Sequence, residues 1–303
     1  MNQENEPNQH EMDPESRRST PCVPSGGPVR MVVFDLDGTL LDEGRNISKR
    51  NQQAVRSLRD SGIEYTLASG RTELQMRLFA EQLDVRLPII ACNGAVIYDH
   101  KADRDVFRKQ MSQQLITDTL EYLFAHGNDF LCYSADCIYY PDYSRKIEVM
   151  RLYNEKARLT GSRLIRLEIV NNQVHEAAAR GMVKILAILD NHEDQQGLID
   201  IVAPHTATVV ASMSNALDIM APDVSKGQGM AQLARIQKIE LKMVVAFGDH
   251  DNDVSMLAMA GTGIAMGHST EAALAVADLI APPCEEHGVA TAIENFVLPR
   301  NRA

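Results

Sequence analysis

The chain is predicted to be α/β, a doubly wound parallel sheet carrying an inserted α+β unit. Two observations lead there. Short apolar runs at residues 31–34, 63–68, 88–92 and 243–247 alternate with stretches of helical length. Between residues 95 and 221 that rhythm gives way to shorter strand-like pieces at uneven spacing, and it resumes near Pro222. A chain of 303 residues has room for about two such units.

Residues 1–29 hold five of the 12 prolines among Asn, Gln, Glu and Ser, without apolar periodicity, and are expected to form a disordered tail. Residues 31–34 then read as a buried strand that ends at Asp35, with Asp37, Gly38 and Thr39 just beyond it. Ser48 is a candidate N-cap for a helix that presents Ala54, Val55 and Leu58 on one face and stops at Ser61-Gly62. Residues 63–68 form the next strand, Ser69-Gly70-Arg71 the turn at its carboxyl end, and a helix runs to about Leu83.

Residues 88–92 form a third strand, closed by Asn93-Gly94. That pair suits either a hairpin turn or the crossing into the inserted unit, and the crossing is expected because the α/β rhythm returns so late. The core is therefore bounded as residues 30–94 and 222–303, with residues 95–221 inserted. Within the insertion, strands are expected at 95–98, 130–133, 138–140, 183–189, 207–213 and 216–220, with a helix at 113–125. Beyond it come a helix at 225–236, a strand at 243–247, a loop at 248–253, strands at 263–266 and 278–280, and a last helix near 289–296.

Composition narrows the function. Against 41 Asp+Glu stand 30 Lys+Arg, a formal charge of −11, which disfavours nucleic acid or an anionic membrane as partner. No run of about 18 apolar residues appears, so no membrane span is expected. Five scattered cysteines, without a secretory-type segment, point to a reducing, cytoplasmic setting, and no His or Cys near Cys132 and Cys137 completes a zinc set.

Chemistry concentrates at strand ends, where an open α/β sheet places its ligands. Asp35 and Asp37 are close enough that both resist ionising together, so either one keeps a proton or a cation neutralises them. Such a pair suits an acid nucleophile beside a proton donor. A calcium loop of EF-hand type fails, since Asn46 stands where its last acidic ligand belongs. In Gly248-Asp249-His250-Asp251-Asn252-Asp253 three aspartates would repel one another without a cation, and oxygen-only donors suit Mg²⁺. Ser69 opens a turn before a helix, where a hydroxyl and backbone N–H groups such as that of Gly70 can hold an anion. Lys226 stands in the first turn of a helix, where the macrodipole disfavours a cation.

Residues 35–42, Asp-Leu-Asp-Gly-Thr-Leu-Leu-Asp, resemble the first motif of the haloacid dehalogenase superfamily of aspartate-nucleophile phosphotransferases. Ser69-Gly70-Arg71, Lys226 and the 248–253 loop resemble its second, third and fourth motifs, in order. The second aspartate, Asp37, is absent from the dehalogenases themselves, and P-type ATPases carry Thr there. Ala265-Met266-Gly267-His268 is similar to the Ala-Met-Gly-Asn of the Cof-like subfamily, with His268 in place of Asn.

The resemblance implies a Rossmann-like core with a large mobile cap, and a Mg²⁺-dependent phosphomonoester hydrolase working through an aspartyl-phosphate. By the same resemblance Asp35 is the nucleophile and Asp37 the acid/base; Ser69, Gly70, Lys226 and Asn252 hold phosphate. Asp35, the Asp37 carbonyl and Asp249 bind the metal, with Asp253 a ligand through water or a partner of Lys226. The implied substrate is a small phosphorylated metabolite, a sugar phosphate foremost, with no nucleic-acid or membrane partner and a monomer or homodimer as the assembly. A phosphomutase and a catalytically idle phosphometabolite-binding regulator are the competing expectations.

Overall fold

The computed structural model describes residues 27–301 except 136, 172, 173 and 214, so the expected tail lies outside the described residues apart from its last three. Of those, Val29 is buried and exchanges two backbone–side-chain hydrogen bonds with Asn301, at 2.8 and 2.9 Å, which ties the entry of the chain to its end.

The first five strands are β1 (Met31–Asp35), β2 (Glu64–Ala68), β3 (Ile89–Ala91), β4 (Val96–Asp99) and β5 (Arg104–Arg108). A second group follows: β6 (Asp129–Tyr133), β7 (Cys137–Tyr140), β8 (Arg166–Ile169), β9 (Lys184–Ile188), β10 (Thr208–Met213) and β11 (Ala216–Met220). The chain then returns with β12 (Val244–Gly248), β13 (Thr262–Met266) and β14 (Leu279–Ala281). One sheet has the order β14-β13-β12-β1-β2-β3-β4-β5, parallel as far as β3 and antiparallel at β4 and β5. The other has the order β10-β11-β9-β6-β7-β8, antiparallel except for the β7 and β8 pair.

The expected α/β class is met, with one correction at the insertion. Asn93-Gly94 is a hairpin turn, and β4 and β5 extend the first sheet. Cys92 (φ +49°), Asn93 (φ +54°) and Gly94 (φ +97°) all have positive φ, and the chain reverses between the paired residues Ala91 and Val96. An added Cβ on Gly94 would lie 2.1 Å from the Ser225 carbonyl oxygen, so only glycine fits there. The chain leaves the first sheet after β5, at Arg108.

Layering follows from side-chain alternation. Val32 and Phe34 of β1 enter one apolar cluster with Val55 and Leu58 of the helix Lys49–Asp60; Met31 and Val33 enter the other with Met230 and Leu233 of the helix Lys226–Ile236. Each such side chain, fully buried, contributes about 1.5–3 kcal/mol of transfer free energy. Ser48 caps the first helix as expected, accepting from Asn51 N at 3.1 Å.

From β1 the chain winds through β2 to β3 on one side, and β12, β13 and β14 step away on the other. The loops after β1 and β12 therefore flank the switch point, where a crevice forms. No helix among the described residues is long and apolar enough to cross a membrane.

Candidate active site

At that crevice lies a buried ammonium between two carboxylates. Ser225 caps the helix Lys226–Ile236, so Lys226 starts it, and its Nζ donates to Asp35 Oδ1 at 2.6 Å and Asp253 Oδ1 at 2.7 Å. All three residues are buried. The unfavourable placement at a helix N-terminus is offset by these ion pairs. Burial alone would pull the Lys226 ammonium down, but Asp253 and Asp35 together hold it above its ordinary value.

Asp35 is pushed well above the usual carboxylate range, first by burial and then by Asp253, with Lys226 opposing. Asp249 is raised by burial and by Asp253, against a hydrogen bond from Thr39 Oγ1 to its Oδ1 at 3.0 Å. Asp253 turns its other oxygen, Oδ2, to the N–H groups of Asp249 and His250 at 3.1 Å each, which folds the 248–253 loop around it. Gly38 (φ +80°) lets the loop after β1 approach this group, since a Cβ there would meet Asp249 Oδ2 at 2.3 Å.

These residues fit a cation. Carboxylate oxygens of Asp35, Asp249 and Asp253 all lie within 4.8 Å of one another. One ammonium leaves three carboxylates with excess negative charge, and an oxygen-only donor set suits a hard divalent ion. Thr39 takes Asp249 Oδ1 and leaves Asp249 Oδ2 available to such an ion, while on Asp35 the Lys226 ammonium takes Oδ1 alone.

Asp37 stands apart from that cluster and is half-exposed. Arg71 clamps it with two bonds, Nε to Oδ2 at 2.8 Å and Nη2 to Oδ1 at 2.5 Å. Ser69 is buried at the end of β2, with its Oγ accepting from Arg71 N at 3.2 Å. Asn252 donates to Asn93 Oδ1 at 3.1 Å, and His250 and Asp251 are exposed. Asp35, Asp37, Ser69, Gly70, Asp249 and Asn252 all line one cleft of about 420 Å³, and Lys226 lies beneath it.

The opposite wall of the cleft comes from the second sheet, and the motif-based reading of the sequence passes over it. Lys184 on β9 is buried; its Nζ donates to the Gly70 carbonyl at 2.8 Å and to Asp218 Oδ2 at 3.2 Å, and it lies 4.6 Å from the centre of the Tyr133 ring. Asp218 on β11 also accepts from Asn93 Nδ2 at 2.9 Å. A signal was present: Lys184 and Asp218 are single charges inside the apolar strands Val183-Lys184-Ile185-Leu186 and Leu217-Asp218-Ile219. A buried charge needs a partner, and each is the other's.

A family profile described as haloacid dehalogenase-like hydrolase matches residues 32–293. The chain belongs to the haloacid dehalogenase-like hydrolases. It is 25% identical to the Bacillus subtilis phosphatase YwpJ over 286 residues, covering 89% of this chain and 100% of that relative. With the Escherichia coli pyridoxal phosphate phosphatase YbhA it shares 27% identity over 253 residues, covering 83% of this chain and 92% of that one. The solved structure of a haloacid dehalogenase-like hydrolase from B. subtilis superposes with a TM-score of 0.76 at 26% identity, over 88% of this chain and 100% of the other. YwpJ and YbhA are both named phosphatases, the enzyme class expected for this chain.

Proposed function

We propose that this haloacid dehalogenase-like hydrolase cleaves phosphomonoesters through an aspartyl-phosphate formed on Asp35. The observation that carries the reading is the buried Lys226 bridge to Asp35 and Asp253 at the floor of the cleft, which fixes one carboxylate oxygen of Asp35 and leaves the other to attack. In the first step that oxygen bonds to phosphorus, the ester P–O bond breaks, and Asp37 gives its proton to the departing alkoxide. In the second, a water attacks phosphorus, Asp37 takes its proton, and the acyl-phosphate P–O bond breaks to restore Asp35. Ser69, the Gly70 backbone, Asn252 and Lys226 would hold the phosphoryl oxygens, since phosphoryl transfer asks mainly for positioning and charge. Asp35, the Asp37 carbonyl, Asp249 and Asp253 would hold Mg²⁺, which when bound supplies positive charge beside the phosphoryl group.

Arg71 takes both oxygens of Asp37. That leaves one lone pair on each oxygen for the proton that Asp37 would carry. The inserted unit acts as the cap, closing the cleft with Tyr133, Lys184 and Asp218. The charged pair Lys184 and Asp218 in that wall and the scarcity of aromatics, 5% of the chain with no Trp, favour a small hydroxylated monoester such as a sugar phosphate. The four described cysteines form no disulfide with one another.

The test is phosphate release from a panel of phosphomonoesters, with and without Mg²⁺, beside Asp35→Asn. Metal-dependent release that falls by on the order of 10³-fold or more in the variant, with folding kept, is the expected result. Release from Asp35→Asn at the parent rate would remove Asp35 as nucleophile.

A further inference from the structure

On the far side of Asp249 lies a second set of donors that the phosphatase reading does not use. β13 and β14 are parallel neighbours, so the loops that follow them emerge side by side. The first carries His268 and the second Cys284 and Glu285; one donor atom from each residue lies within 4.8 Å of the others. Cys284 is buried and its Sγ donates to Glu285 Oε1 at 3.0 Å. His268 is about one-third exposed, with Nε2 3.9 Å from Asp249 Oδ2. A cavity of about 250 Å³, bounded by Gly38, Asp249, His268, Cys284 and Glu285 among others, opens on the group.

We infer that His268, Cys284 and Glu285 form a three-donor binding site for a borderline-soft divalent cation of the Zn²⁺ class, beside Asp249 Oδ2, which lies 3.9 Å from His268 Nε2. Mg²⁺ takes oxygen donors and leaves a thiol and an imidazole unused, whereas sulfur, nitrogen and carboxylate oxygen, with a fourth position open to water, are what Zn²⁺ takes. On binding, the Cys284 thiol proton passes to solvent and the thiolate and imidazole become ligands. Asp249 is shared with the oxygen cluster around Asp35. Asp249 Oδ2 is also the oxygen left to the ion of that cluster, so a cation held here pulls on this ligand and inhibits turnover.

The test uses the full chain freed of metal and titrated with Co²⁺ or Zn²⁺ alone, for the parent, Cys284→Ser and His268→Asn. In the parent, Co²⁺ should give a thiolate-to-metal charge-transfer band, and Zn²⁺ should bind in one equivalent more than in Cys284→Ser. The band should vanish in Cys284→Ser. His268→Asn, which replaces an exposed side chain and so leaves folding intact, should weaken Co²⁺ binding on the order of tenfold or more. Added Zn²⁺ should inhibit Mg²⁺-supported phosphate release less in Cys284→Ser than in the parent. The absence of a thiolate band in the parent, equal zinc stoichiometry in all three proteins, or equal inhibition of parent and Cys284→Ser would each overturn the proposal. The cobalt spectrum does not depend on Asp35, so failure of this site and failure of the phosphatase reading are separable.

Discussion

Lys226 is where local preference and tertiary need conflict. A cation in the first turn of a helix costs about 0.3–1 kcal/mol against the macrodipole. Here it is repaid by Asp35 and Asp253, both buried and both within 2.7 Å of its Nζ. Replacing Lys226 by Met would keep most of the volume and leave three carboxylates facing one another. The variant should lose about 3–5 kcal/mol of stability, the usual cost of stripping one partner from a buried pair, together with phosphate release. Urea unfolding checks the first part, and a variant as stable as the parent would refute this reading of the charges.

The hairpin of β4 and β5 shows how an element can belong to a sheet its sequence does not announce. Val96-Ile97-Tyr98 alternates no more cleanly than the strands of the inserted unit, and its partner β5, Arg-Asp-Val-Phe-Arg, is too polar to be read as a strand. Pairing with β3 decides the matter. The turn between them buries His100, whose Nε2 lies 3.1 Å from the Val85 carbonyl and whose Nδ1 has no partner. Burial lowers its pKa below the ordinary 6.5. The folded protein thus binds fewer protons here than the unfolded chain. The stabilisation is complete above the unfolded value and is lost as pH falls through the folded one. The melting temperature should drop between about pH 7 and about pH 5, and His100→Gln should flatten that slope. Equal slopes in the two proteins would place the acid sensitivity elsewhere.

Across the whole molecule a buried polar chain joins the two sheets, from Lys184 through Asp218 and Asn93 to Asn252, with a branch from Lys184 to the Gly70 carbonyl. It links the wall of the inserted unit to the turns beside Ser69 and Asp249. Asp218→Ala leaves Lys184 buried beside a lost partner. It should cost about 3–5 kcal/mol and speed amide exchange in the Asn93 turn more than in β1. Exchange in that turn at the parent rate would show that the chain of bonds does not hold it.

What the sequence determined by itself was local. Strand runs, the Ser48 cap and the order of Asp35, Ser69, Lys226 and Asp249 are written in residues a few positions apart, so the α/β class and the principal acids are legible without coordinates. Tertiary structure decided which distant groups meet. Lys184 finds Asp218 across 34 positions and Asn93 finds Asp218 across 125, while His268 meets Cys284 only because β13 and β14 are parallel neighbours. Ion-pair and donor partners are set by strand order, and strand order is fixed by burying both faces of the sheet at once, which no single stretch of the chain encodes.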